Sequence, residues 1–165
     1  MHALYFLYFS QKMNSMGLNV SKLNRFIFLK LPSAFICGIR VKSIDKDKCV
    51  VTVKHRWINQ NPFNSMYFAV QAMAAEMTTG AMVIDKIEQS GKKISMLVAN
   101  NKSNFSKKAT GRITFICQDG HIIEEAIQKT IATGEGQTFW MKSIGINEQG
   151  VQVSEMDFEW SVRLK

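Results

Sequence analysis

The sequence predicts an α+β domain in which one long, buried helix lies against a single curved antiparallel sheet. Three observations predict it. From Phe63 to Ile84 the chain carries a single charge, Glu76, and is rich in Met, Ala and Phe, so this helix is apolar almost all round. The segments before and after it alternate apolar and polar residues with the period of strands. The 165 residues contain only two prolines and no Pro-rich linker, which leaves one domain over 20–165 behind an N-terminal extension over 1–19.

In chain order, Val20 to Leu31 places Leu23, Phe26, Ile27 and Lys30 at helical spacing. Ser21 is the expected N-cap, and Pro32 stops the pattern. Ile39, Val41 and Ile44 alternate with Arg40 and Lys42, and Asp45 to Lys48 is a charged turn. Val51, Val53, His55 and Trp57 then share one face of a second strand, completing a hairpin. Asn61-Pro62 or Asn64-Ser65 caps the long helix. Ile94 to Phe105, Ala109 to Gln118, Thr138 to Ile146 and Val151 to Leu164 are strands. His121 to Glu135 has a mixed pattern, read as strand-to-loop with some helix. The long helix needs cover on both sides and one sheet supplies one, so its remaining apolar face points to a partner chain.

Composition narrows the function classes. The net charge is +8, which favours anionic partners. No RNA-binding or zinc pattern accompanies it and the basic residues are dispersed, so nucleic acid is not expected. Cys37, Cys49 and Cys117 are widely spaced, with no Cys/His cluster, so no metal site is expected. They read as reduced thiols in a cytoplasmic protein. Asn64, Ser65, Gln71, Glu76, Thr78 and Thr79 interrupt the long helix too often for a membrane span. Residues 3–9 are apolar but short, follow no Lys or Arg and precede no small-residue cleavage site, which disfavours a secretory signal. They read as a short interfacial helix, or as residues upstream of a start at Met13 or Met16.

A carboxylate inside a buried apolar helix is the most informative residue. Lone acids are almost never fully buried without a partner. Burial raises a carboxyl pKa, and such acids cluster at functional sites. The plain alternatives are an open face at Glu76 or an ion pair with the sheet.

The order of elements, with Asn61, Phe68, Glu76 and Thr79-Gly80 at their spacing, resembles the hotdog-fold acyl-CoA thioesterases, and within them an uncharacterised branch related to the phenylacetate-type enzymes. The resemblance runs from about Leu31 to Leu164. It implies the hotdog fold and thioester hydrolysis, with coenzyme A only as part of the substrate and no separate cofactor. In that family an amide residue precedes the central helix, a His-Gly-Gly opens it and an acid follows inside it. Asn61 and Glu76 match the amide and the acid. The His-Gly-Gly is replaced by Tyr67-Phe68-Ala69, so Phe68 supplies the oxyanion amide without the close approach that glycine allows. Thr79 or Thr78 is placed to orient the acid, or bonds only to the backbone one turn earlier.

The chemistry follows from a helix N-terminus that polarises a thioester oxygen and a carboxylate that attacks the carbonyl or activates water. Eight residues of helix span about 12 Å, too far for one carbonyl to touch both groups. The resemblance implies a homodimer, or a dimer of dimers, in which the amide of one copy meets the acid of the other. Lys102, Lys107, Lys108 and Asn101 flank the expected coenzyme A mouth, although a solvated basic loop has the same composition. Tyr67 and Met73 are expected to line an apolar acyl or aryl tunnel, with Met66 and Met77. The absence of His between Asn59 and Tyr67 disfavours a dehydratase. A non-catalytic acyl- or acyl-CoA-binding module, plugged by Tyr67 and Phe68, is the alternative.

Overall fold

A computed structural model describes residues 19–165. The readings made for residues 1–18 lie outside the described residues. Two short helices come first, α1 (Val20–Lys30) and α2 (Pro32–Ile36). Asn19, not Ser21, caps α1 by accepting the Lys22 N–H at 3.0 Å. Pro32 ends α1 as expected, yet it also opens α2, because its missing N–H costs nothing in a first turn. Leu23 and Ile27 are the buried contacts of α1.

The hairpin is β1 (Arg40–Ile44) and β2 (Cys49–Lys54). Asp45 Oδ1 closes its turn by accepting the N–H groups of Asp47 and Lys48. The second strand is shorter than predicted. Beyond Lys54 the chain leaves the sheet, and Trp57, 81% exposed, opens a single 3-10 turn to Asn59. Asn59 holds that departure: it is buried, accepts the Arg56 N–H and donates to the Cys37 and Lys54 carbonyls.

The long helix α3 runs Phe68–Ser90, starting five residues later than its sequence pattern. The residues before it form a loop around Asn61, whose Oδ1 accepts from the N–H groups of Phe63 and Ser65. Gly91, at φ 64°, ends the helix in the left-handed region that favours glycine. Then follow β3 (Ile94–Phe105), β4 (Arg112–Cys117), α4 (Gly120–Thr133), β5 (Gln137–Ile146) and β6 (Gln152–Leu164). The strand-to-loop reading of His121 to Glu135 is corrected by α4. Its buried Ile123, Ala126, Ile127 and Thr130 fall on one helical face, packed against α3 and β5.

The six strands form one antiparallel sheet in the order β1-β2-β4-β5-β6-β3. Val51, Val53, Ile113, Phe115, Phe139, Met141, Met156, Phe158, Trp160 and Val162 are buried on its inner face, where α3 lies. The two edges differ. At β1, Asn24 of α1 donates to the Val41 carbonyl and accepts the Val41 N–H, capping that edge. At β3 the outer edge has no strand beyond it among the described residues.

Candidate active site

The sequence of α3 is apolar all round, but its cover is uneven. Val70, Ala74, Ala75, Met77, Thr78, Ala81 and Met82 are buried against the sheet and α4. Phe68, Ala69, Ala72, Met73 and Glu76 form a stripe at helical spacing that stays partly open. Met66 and Met77 are core, so of the expected tunnel methionines Met73 alone reaches this stripe. Glu76 closes the stripe. Its carboxylate has no hydrogen bond or ion pair among the described residues, and burial pushes its pKa up to about 7.

Glu76 is set by its neighbours along and across the helix. A Cβ at Gly80 would lie 2.9 Å from Glu76 Oε1 and 3.2 Å from Trp160 Cη2 and Cζ2. Glycine there lets the carboxylate and the indole crowd one helical turn. Trp160 Nε1 donates to Thr79 Oγ1 at 3.0 Å, and that hydroxyl donates to the Glu76 backbone carbonyl at 2.9 Å. Thr79 therefore ties the helix to β6 through the Glu76 backbone and makes no bond to its carboxylate. Thr78 does likewise, donating to the Ala75 carbonyl at 2.6 Å and meeting Ser143 at 2.9 Å.

The N-terminus of α3 lies at the other end of the stripe. Tyr67 provides no side-chain cap, no acid stands in the first turn, and the N–H groups of Phe68 and Ala69 have no acceptor among the described residues. These donors carry the partial positive charge of the helix end. Tyr67 (47% exposed) and Phe68 (54% exposed) meet edge to face at 4.9 Å, and Phe68 meets Phe105 of β3 at 6.3 Å. Asn61 is not aimed along the stripe. Its amide is spent on the 61–65 loop, where Nδ2 donates to Ser65 Oγ at 3.0 Å. The buried Asn59 anchors the helix start instead, its carbonyl accepting the Tyr67 N–H at 2.9 Å.

Strand β3 divides the predicted coenzyme A residues. Ile94, Met96 and Val98 share the inner face with Val162 and Trp160. An irregularity between Val98 and Asn100 adds one residue and reverses the alternation. Asn101, opposite Phe158, and Phe105 then face inward, whereas Lys102, opposite Asp157, faces outward. Lys102 stacks over Trp140 at 4.5 Å, away from the stripe. Lys108 lies nearer the helix start, donating to the Phe63 carbonyl at 3.1 Å, and exposed Lys107 adjoins it.

The structure thus joins Glu76, Met73, Phe68 and Tyr67 on one face, sets Lys107 and Lys108 beside the loop that leads into it, and leaves Lys102 and the Asn61 amide outside. Trp160 and Asn59 escaped the sequence reading, and Gly80 entered it only through its spacing beside Thr79; only an intact inner-face alternation in β6 marks Trp160 beforehand. Among the described residues no group of His, Cys, Asp and Glu could hold a metal ion, and no helix is long and apolar enough to cross a membrane. Cys49 and Cys117 sit opposite each other in the sheet with thiols pushed up to about 12 by burial, so they are unreactive.

The model of a domain of unknown function, DUF4442, matches residues 21–162. The chain belongs to the DUF4442 family. No curated protein matches it in sequence. Among solved structures, this DUF4442 chain is similar to PA5026 of Pseudomonas aeruginosa, described as a probable thioesterase, with TM-score 0.77 and 19% identity over 91% of this chain and 99% of that one. It is also similar to the thioesterase HI1161 of Haemophilus influenzae, at TM-score 0.67 and 13% identity over 92% and 94% of the two chains. PaaI of E. coli, from the phenylacetic acid degradation operon, follows at TM-score 0.62 and 16% identity over 86% and 90%. These likenesses establish the hotdog fold, with its six-stranded antiparallel sheet packed on a long helix.

Proposed function

We propose that this DUF4442 protein hydrolyses acyl thioesters, with Glu76 as the general base. The observation that carries the reading is Glu76 itself, a carboxylate with no bonding partner among the described residues, on the open stripe of α3, with its pKa raised to about 7. A base of that pKa is half ionised near neutral pH, where proton transfer is most effective.

In the proposed reaction Glu76 takes a proton from water as the water oxygen attacks the thioester carbonyl carbon. The Phe68 N–H stabilises the resulting oxyanion. Collapse breaks the C–S bond, and the thiolate leaves with the proton returned by Glu76. Since Phe68 and Glu76 stand about 12 Å apart along α3, the two groups come from different copies. The open stripe and the uncapped β3 edge support a homodimer built on this side of the molecule. Lys107, Lys108 and Asn101 are assigned to coenzyme A, and Tyr67 and Met73 to the acyl group. Lys102, turned outward, is left out. We place the protein in the cytoplasm, on the strength of its free thiols.

A panel of short, medium, long and aromatic acyl-CoAs tests the proposal by release of free thiol. Turnover of at least one is expected, with Glu76→Gln inactive on the same substrate. The aromatic contacts over the helix start favour a second reading, an acyl-binding module in which Phe68 and Tyr67 close the site. Binding of acyl-CoA without thiol release from any panel member would establish that reading and overturn hydrolysis.

A further inference from the structure

The outer face of the sheet is divided in charge. Over β5, β6 and β3 it carries acids with partners: Lys142 Nζ bonds Glu155 at 2.6 Å, and Asn100 Nδ2 bonds Glu159 at 2.5 Å. Over β1, β2 and β4 it carries cations alone. Arg40, Lys42, Lys54, Arg56 and Arg112 surround a cleft of about 280 Å³ completed by Gly38 and Thr52. None of the five cations has an ion pair among the described residues. Glu148 lies beside Gly111, the chain neighbour of Arg112.

Like charges are held together here by built contacts. Lys54 and Arg112 lie directly opposite each other in adjacent strands, an arrangement that destabilises a sheet. Arg40 is fixed over the Phe35 ring at 3.8 Å, and its Nη1 donates to the Phe35 carbonyl at 3.0 Å and the Ile39 carbonyl at 2.7 Å. Desolvation and the charge of Arg56 hold the Arg40 pKa below its ordinary value. Gly38, at φ 88°, makes room for Arg56, because a Cβ there would collide with Arg56 Nη2. Thr52 is buried at the floor of the cleft although it lies on the outer face.

We infer that this cleft binds the phosphate or diphosphate group of an organic ligand. Guanidinium forks match phosphate oxygens two at a time, and five cations without an ion pair among the described residues call for more than the one negative charge of a carboxylate. A cluster that is repulsive when empty gains most from a compact polyanion. The site is on the opposite face of the sheet from Glu76, so the inference stands or falls independently of thioester hydrolysis.

Calorimetric titration of the full chain with inorganic pyrophosphate, at constant ionic strength in chloride, tests it. Saturable binding is expected, weakened about tenfold or more by Arg56→Gln and unchanged by Lys129→Gln, an exposed cation on α4. The double variant Lys54→Gln/Arg112→Gln guards against misfolding: relief of the facing charges should raise its melting temperature while affinity falls. Titration with adenosine 3′,5′-bisphosphate identifies the source, since tighter binding than pyrophosphate means a nucleotide ligand and equal binding means the phosphate group alone. No pyrophosphate binding, or equal weakening by Arg56→Gln and Lys129→Gln, would overturn the inference. Arg56-dependent binding to phosphatidylglycerol vesicles that pyrophosphate does not displace would overturn it as well.

Discussion

Two of the carboxylates on helix α3, Asp85 and Glu76, lead different lives. Asp85 is buried and accepts a hydrogen bond from Gln89 Nε2 at 2.6 Å, one helical turn away. Glu76, two and a half turns earlier, has no such bond among the described residues, and burial pushes its pKa up to about 7. The same helix and the same residue chemistry thus yield a structural acid where a partner is supplied and a reactive one where it is withheld. What withholds it is local: Thr79 bonds the Glu76 backbone and leaves the side chain alone, while Gly80 and Trp160 supply an apolar wall.

The largest effect expected from this contrast is on turnover. Glu76→Gln keeps the shape and removes the charge, so thioester hydrolysis should fall by ~10²–10⁴ while the melting temperature holds or rises. A large drop in melting temperature with a matching loss of activity would make Glu76 a second Asp85.

Stability against pH comes next. Ionising Glu76 costs more in the fold, where its pKa is about 7, than in the unfolded chain, where a carboxyl keeps its ordinary value of 4.5. The stability advantage is therefore fully present below about pH 4.5 and is lost as pH rises to about 7. Chemical denaturation of wild type and Glu76→Gln across that window should show the variant gaining on wild type by ~2–3 kcal/mol, after allowance for partial solvent access. A constant difference from pH 4 to pH 8 would mean that Glu76 ionises normally. Asp85→Ala is expected to have the smaller consequence of ~0.5–1.5 kcal/mol, because it removes the hydrogen bond from Gln89, whose exposed amide turns to water instead. Denaturation midpoints measure it, and activity per folded molecule should be unchanged.

The contrast between the two acids was only half visible in the sequence. Glu76 stood out because one charge in a long apolar helix is rare, and β3 was bounded at Ile94 and Phe105 by the polar residues that flank it. The start of α3 was misplaced because Phe63 and Met66 extend the apolar pattern, while the Asn61 hydrogen bonds that hold them in a loop depend on Ser65 coming into reach. Helix α4 was obscured by Ile122, Ile123, Ile127 and Ile131, β-branched residues that suit a strand until α3 and β5 give them a helical groove. Lys102 was assigned to the site from its neighbourhood, and no local signal marks the extra residue between Val98 and Asn100 that turns it outward. Thr79 was correctly seen to have a backbone-bonding alternative, but its donor, Trp160, lies far along the chain on β6.

The central claim is that Glu76 is the proton acceptor in thioester hydrolysis. The pH dependence of kcat/KM for the best acyl-CoA substrate tests it most directly. The account predicts a rate that climbs with pH through an apparent pKa near 7 and then levels, with that limb absent from the residual activity of Glu76→Gln. A profile flat from pH 5 to pH 9, or the same limb persisting in Glu76→Gln, would contradict it.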